Sequence, residues 1–155
     1  MIKLTPYEPD QHAKIMYDWF YDPCYRNAFR TFNSLPKLHD FQNIEQICGC
    51  NVGMILDDQE VIGFVRFTMR TSTTAVVGVM VTEEHQKQGK ALTAMQEGIR
   101  FLKERGVHKI VARVRETDTR LIEILKKFGF VLGHIDPHEF MENDEWINEA
   151  VLHYL

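Results

Sequence analysis

Cysteine is scarce in this chain, and the three present, Cys24, Cys48 and Cys50, are an odd set without framework spacing, which excludes a disulfide scaffold. Cys48-Gly49-Cys50 has neither the C-x2-C spacing nor the four ligands of a structural zinc site, so reduced thiols packed in or beside a strand are expected, and no metal. Glycine and proline, nine and five in 155 residues, are too few for a collagen-like or low-complexity chain. Basic residues do not dominate either. Eighteen Lys and Arg against 22 Asp and Glu leave a net charge of −4, without the basic footprint of a general nucleic-acid binder. No segment approaches the ~20 apolar residues of a bilayer span, and MIKLTPYEPD carries no apolar leader stretch. A cytoplasmic protein with neither nucleic acid nor membrane as partner is therefore expected.

What remains is ordinary globular composition, 45% hydrophobic and 26% charged. A chain of this length buries roughly 68–70% of its unfolded surface, enough for a core without staples. The absence of repeats and linkers makes residues 1–155 a single domain.

The opening IKLTPY alternates like a short edge strand ended by Pro9. Asp10 can cap a helix whose apolar positions Ala13, Met16, Trp19 and Phe20 recur at helical spacing, stopped by Asp22-Pro23. Residues 24–47 mix aromatic and polar residues and hold one or two short helices such as HDFQNIEQI. Three β-rich runs follow, GCNVGMIL, EVIGFVRFTMR and TTAVVGVMV. Breaks at Asp57-Asp58 and near Thr71-Ser72 separate them, and together they read as an antiparallel meander. In GKALTAMQEGIRFLKERG, Leu92, Met95, Ile99 and Leu102 keep helical steps and Gly106 ends them. A strand KIVARV, a helix capped by Asp118 or Thr119 and closed by Gly129, and the runs FVLGHI and WINEAVLHYL complete the chain. The order β, α, three β, α, β, α, β, β predicts a mixed α/β domain of the α+β type. Its central sheet is largely antiparallel and flanked by helices.

Residues 83–95, EEHQKQGKALTAM, connect the strand VVGVMV to a helix starting near Gly89. Unsatisfied amides at a helix start, with the positive end of its dipole, suit a phosphate group. Gly89 and Ala91 keep bulk away from such a ligand, and Lys87 and Lys90 add positive charge. A plain turn is the competing reading of the stretch taken alone.

Gln86-Lys87-Gln88-Gly89-Lys90-Ala91 resembles the Q/R-x-x-G-x-G/A pattern of the GNAT superfamily of N-acetyltransferases, and the surroundings agree. VVGVMV stands before it as the fourth strand, KIVARV after the helix as the fifth, and Lys126-Lys127-Phe128-Gly129-Phe130 as the family's "GF" turn. MYDWFYDP further resembles the W-x-x-D-P signature of the RimJ/RimL-type branch, and AVLHYL its last strand. The resemblance implies a GNAT-like fold over the whole chain and acetyl-CoA as cosubstrate. It implies that Gln86, Lys87, Gln88, Gly89, Lys90, Ala91 and Leu92 hold the pyrophosphate. Val79, Met80 and Val81 would pair through their main chain with pantetheine, where the fourth strand splays from the fifth. Asp118 stands where relatives carry a pantetheine-contacting asparagine.

Departures fall on the catalytic groups. Leu125 stands where many relatives place an acid tyrosine, and Ala75 and Arg113 stand where some place a base glutamate. Direct transfer tolerates this: acid or base assistance is worth about 10²- to 10⁴-fold, whereas positioning two reactants supplies ~7–11 kcal/mol. A thiolate of pKa near ~8.5 also leaves without an acid. Substitutes are His138, Tyr154 and Glu83, with His85, His134 and Glu139 behind them. His138 leads because histidine titrates near neutrality and the family's last hairpin borders the acceptor groove.

The acidic run Glu139, Glu142, Asp144 and Glu145 beside that hairpin suits a cationic acceptor, a primary amine of a small molecule or protein. Trp19, Phe20, Phe29 and Phe32 are candidates for an acceptor pocket or for core. Exposed apolar residues on the last strands leave room for a homodimer. The missing acid and base groups support one alternative, a GNAT-like module that binds coenzyme A or a protein partner without turnover.

Overall fold

Pro9, expected to end the first strand, instead starts the first helix. In the computed structural model, which describes residues 1–25, 37–142 and 144–154, β1 covers Ile2–Pro6 and α1 covers Pro9–Phe20, with Glu8 as its N-cap. Proline suits the first helical position because its fixed φ is already helical and its missing N–H would have had no partner there. Asp10 thus falls inside the first turn, where its charge favours the dipole, rather than at the cap. Ala13, Met16, Trp19 and Phe20 are buried as the spacing requires.

A 3-10 turn at Leu38–Asn43 runs into the short α2, Ile44–Cys48. The meander follows as β2 (Asn51–Asp57), β3 (Glu60–Met69) and β4 (Thr74–Val81). β2 and β3 are joined through Asp58 and Gln59 at φ 48° and 79°, the pair of left-handed residues that a tight hairpin with right-handed twist needs. Then come α3 (Lys90–Glu104), β5 (Lys109–Arg115), α4 (Thr119–Phe128), β6 (Val131–Glu142) and β7 (Glu145–Tyr154).

The strands order as β1-β2-β3-β4-β5-β7-β6. β1–β2, β2–β3, β5–β7 and β6–β7 pair antiparallel, and β4–β5 is parallel. A parallel pair needs a long crossover, and α3 supplies it. The result is the mixed, largely antiparallel seven-stranded sheet with helices that the element order predicts.

The backbone groups into two compact units, Met1–Thr68 with Gly78–Gly98, and Met69–Val77 with Ile99–Leu155. The first has a core of Trp19, Phe20, Phe41, Met54, Phe64 and Met80, with Cys50 packed among them. Trp19 stacks on Phe64 at 6.2 Å, and Phe20 meets Phe41 edge-on at 6.3 Å. The second is built on Ile110, Ala112, Leu125, Phe130, Ala150 and Leu152.

One strand is longer than its sequence suggests. HEFMENDE was expected to separate the last two strands, yet β6 continues to Glu142 through a bulge. Asp136 faces Glu149, Phe140 faces Ile147, and Asn148 alone opposes the three residues between. The bulge absorbs Pro137, which has no N–H for a ladder, and sets His138 at φ 51°. Among the described residues, no helix is long and apolar enough to cross a membrane.

Candidate functional site

The loop after β4 is built by hydrogen bonds to its own backbone. Thr82 N donates to Ile62 O at 2.8 Å, His85 N to Thr82 O at 2.9 Å and Gln86 N to Glu83 O at 3.2 Å, which folds Glu83–His85 into a single 3-10 turn. The Gln86 amide group reaches back to Val81 O at 2.8 Å, and that of Gln88 to Glu84 O at 3.2 Å. Lys87 and Gly89 then take left-handed conformations, φ 65° and 75°, and α3 begins at Lys90. Thr93 closes the first turn, its N–H and Oγ1 both donating to Gly89 O, at 3.1 and 3.0 Å.

These bonds leave the N–H groups of Lys87 to Leu92 without an acceptor among the described residues. They sit at the positive end of a fifteen-residue helix. A Cβ placed on Gly89 would meet nothing within 4 Å, so the loop is open on that side. The chemistry offered is a set of main-chain donors for an anion, the arrangement that helix starts present to phosphate.

The two lysines differ. Lys87 is exposed. The Lys90 ammonium, expected to lend charge to the ligand, is already engaged: its Nζ lies 2.7 Å from Asp57 Oδ2 and 2.9 Å from His85 Nδ1. The hydrogen bond from Lys90 holds the Asp57 carboxyl below its ordinary value. His85 Nε2 is 3.5 Å from Glu60 Oε2. Glu60, Glu84 and His85 bring ligand-type atoms within 4.8 Å of one another, but the Lys90 ammonium already sits at the His85 ring, so a metal ion there would stand beside an existing cation.

Along β4, Val79 is half-buried while Met80 and Val81 are buried, and the β4–β5 register ends at Val77 opposite Ala112. Glu83 begins the 3-10 turn. Its N–H donates to Tyr25 OH at 2.8 Å, and its carboxylate lies 3.8 Å from the exposed Cys24 thiol. Trp19 and Phe20 belong to the core rather than to an open pocket; Phe29 and Phe32 lie outside the described residues.

The first unit therefore brings together Val79, Met80, Val81, Glu83 and the run Gln86 to Leu92. Asp118, His138 and Tyr154 belong to the second unit, at three places within it. Asp118 is the N-cap of α4, its Oδ1 accepting from Leu121 N at 3.2 Å. Its carboxylate thus has a local structural partner. Tyr154 packs its ring on Phe128 and Phe130, at 5.5 and 5.3 Å, with Lys103 Nζ over it at 5.5 Å. His138 sits exposed on the β6 bulge, its N–H donating to Asn148 Oδ1 at 2.9 Å and its ring 5.7 Å from Trp146.

Sequence reasoning missed two groups of partners. In sequence Asp57 is only a turn residue, and nothing local marks it as the partner of Lys90. Arg113 is held by Asp136 at 2.5 Å, Glu149 at 3.2 Å and Glu139 at 3.5 Å, and Glu149 is only 2% exposed. The alternation Ile147, Glu149, Val151 puts a carboxylate on a face shared with apolar residues, a signal that a cation had to be near. At the other two positions of the missing catalytic groups, Ala75 and Leu125 are buried apolar side chains.

None of the curated proteins matches this sequence significantly. Solved structures of the same fold do. The spermidine N-acetyltransferase of Vibrio cholerae, solved with CoA and spermine, shares 16% identity over 99% of this chain and 95% of that one, at a TM-score of 0.86. The ribosomal-protein-alanine N-acetyltransferase of Brucella melitensis shares 15% over 100% and 99%, at 0.77. An N-acetyltransferase of Staphylococcus aureus shares 14% over 99% and 97%, at 0.80. Identities this low speak for the fold. A sequence model of the acetyltransferase (GNAT) family matches residues 13–130, and the chain belongs to that family.

Proposed function

We propose that this protein is an N-acetyltransferase that carries the acetyl group of acetyl-CoA directly to a primary amine. The run of amides from Lys87 to Leu92, without an acceptor among the described residues and kept open by Gly89, carries this reading. It supplies main-chain donors and a helix dipole for the diphosphate of the cosubstrate. Val79, Met80 and Val81 offer main chain for the pantetheine arm. Asp118 contributes from its capping position as a hydrogen-bond acceptor.

The neutral amine attacks the thioester carbonyl, the carbon–nitrogen bond forms, the carbon–sulfur bond breaks, and the amine's proton passes to a base. His138 is that base in our reading, with Glu83 as the second candidate and Tyr154 as the candidate acid. Arg113 cannot accept a proton, and its three carboxylate partners fix it as a structural cation.

The acceptor is a cationic amine, a polyamine-like small molecule or a protein amine. The net charge of −4 and the exposed Glu139, Asp144 and Glu145 support it, as does the resemblance to a spermidine acetyltransferase fold solved with spermine. Trp19-x-x-Asp22-Pro23 supports placement near the RimJ/RimL-type branch, among neighbours that also include other acetyltransferases. Residues 1–155 act as one acyltransferase domain in this reading, a family match running through both units being its support. A cytoplasmic location and homodimers through the exposed Leu132, Met141 and Trp146 complete it.

A thermal-shift titration tests the core claim. Ligand at 100 times its dissociation constant adds about 2.7 kcal/mol, which for a chain of this size raises Tm by about 5–11 °C. No shift with millimolar acetyl-CoA or CoA would sink it. Thiol release over an amine panel then reads turnover; binding without release beyond slow hydrolysis would overturn the enzymatic reading. Gly89→Val forces a β-branched residue to φ 75° with open space around it, so the fold survives at a cost of roughly 1–2 kcal/mol while the CoA shift disappears.

A further inference from the structure

Lys90 opens α3, yet its side chain leaves the helix for two partners on other segments of the same unit. One is Asp57, the last residue of β2, fixed in register against Ile2 of β1 and Glu60 of β3. The other is His85, the last residue of the 3-10 turn. An ammonium that donates to Nδ1 needs a neutral imidazole with its proton on Nε2, and Nε2 faces Glu60 Oε2. The Lys90 and Asp57 side chains are each only 20% exposed, so solvent screens the pair less than a surface bridge. One side chain thus ties a sheet strand, the turn and the helix start, and the amides without an acceptor among the described residues run from just after the turn into that helix start.

We infer that Lys90 and Asp57 are positioning residues. The ammonium of Lys90 is a strut that holds the loop in its diphosphate-accepting shape, and only the Lys90 amide faces the ligand. This rests on the loop being the cosubstrate site. It departs from the reading in which both lysines give their charge to the phosphates, and the two make opposite demands on Asp57. If the ammonium served the phosphates, removing the Asp57 charge would free it and CoA would bind as tightly or more tightly. If it is a strut, the same change loosens the loop and weakens CoA.

Calorimetric titration of the full chain with CoA decides between them, for the wild type, Asp57→Asn, Lys90→Met and the double variant. Each single change is expected to weaken CoA about three- to tenfold, the double no more than either alone, and Lys90→Arg to keep most of the affinity. In turnover, KM for acetyl-CoA rises while kcat at saturation holds. Unchanged or tighter binding in Asp57→Asn, or additive losses, would overturn the strut. Amide exchange of the ligand-free protein separates this from failure of the cosubstrate reading. Exchange at Gln86 and Thr93 should speed up in both single variants whether or not CoA binds, and unchanged exchange there refutes the strut by itself.

Discussion

Gly63 of β3 lies against the main chain of β4 at residues proposed to meet the pantetheine arm. A Cβ built on it would stand 2.9 Å from the Met80 carbonyl carbon and from Val81 Cα, and far inside contact with Met80 O. These are backbone atoms, so no rotamer change relieves the clash, and restoring ordinary separations of about 3.5 Å means moving one strand by roughly 1 Å. Overpacking typically costs about 1–3 kcal/mol, and with backbone on one side and a buried position on the other Gly63→Ala belongs at the upper end. For a chain of this length that lowers Tm by about 6–12 °C. Gly53→Ala, on the neighbouring β2, is the control. Its Cβ would have 3.9 Å to Thr5 O and Val65 O, ordinary contact, and the stiffer unfolded chain contributes about 0.4–1 kcal/mol of stability. Differential scanning calorimetry of both, with and without CoA, reads the difference. A Gly63→Ala protein melting within about 2 °C of the wild type, or alongside Gly53→Ala, would refute the close approach.

Asp118→Ala should lower stability by about 1 kcal/mol in urea titration, whereas Asp118→Asn, which still caps α4, should not. Equal losses in the two would mean that charge rather than the cap carries the effect. Arg113→Met should cost up to about 3 kcal/mol near pH 7, because it removes a cation held against the 2% exposed Glu149. That penalty has a pH signature at Asp136. The hydrogen bond from Arg113 holds this carboxyl below its ordinary 3.8, so its contribution is present above about pH 4 and is lost as pH falls through the lower, folded-state value. The gap between the two melting curves should therefore narrow on acidification below pH 4; a gap that widens would contradict the pairing.

Legibility followed sequence distance. The meander, α3 and α4 could be read because period-2 and period-3.6 patterns and their Gly, Asp and Pro punctuation are local. The capping of α4 by Asp118 and the closing of α3 at Gly106 follow from the same chemistry. Two local rules compete at Pro9, which can end a strand or start a helix, and here it takes the first helical position after Glu8. The β6 bulge was illegible because Pro137 argues against a strand and the compensation, the Asn148 side chain accepting from His138 N–H, lies across the hairpin. The partners of Lys90 and Arg113 were illegible for a stronger reason. Ion pairs have no periodicity: the apolar alternation around Glu149 calls for a cation without naming Arg113, and Asp57 gains its role only when the sheet register brings it into place.

That asymmetry bears on what the loop motif means. Gln86, Gln88, Lys90 and Thr93 spend their side-chain hydrogen bonds on the protein itself: Gln86 on Val81 O, Gln88 on Glu84 O, Thr93 on Gly89 O and Lys90 on Asp57 and His85. The donors left over among the described residues are the main-chain amides and the exposed Lys87 ammonium. In the proposed reading, the letters of the motif specify a loop shape, and that shape suits a diphosphate. On that reading Gly89 serves through its φ of 75°, the glutamines through the carbonyls they occupy, and Lys90 through its tie to Asp57. Changes at these side chains should act on cosubstrate affinity through geometry, leaving the proton transfers to groups outside the motif. On the proposed reading the loop binds through its main chain, so having Arg113 and Leu125 where relatives carry acid and base groups leaves that chemistry intact.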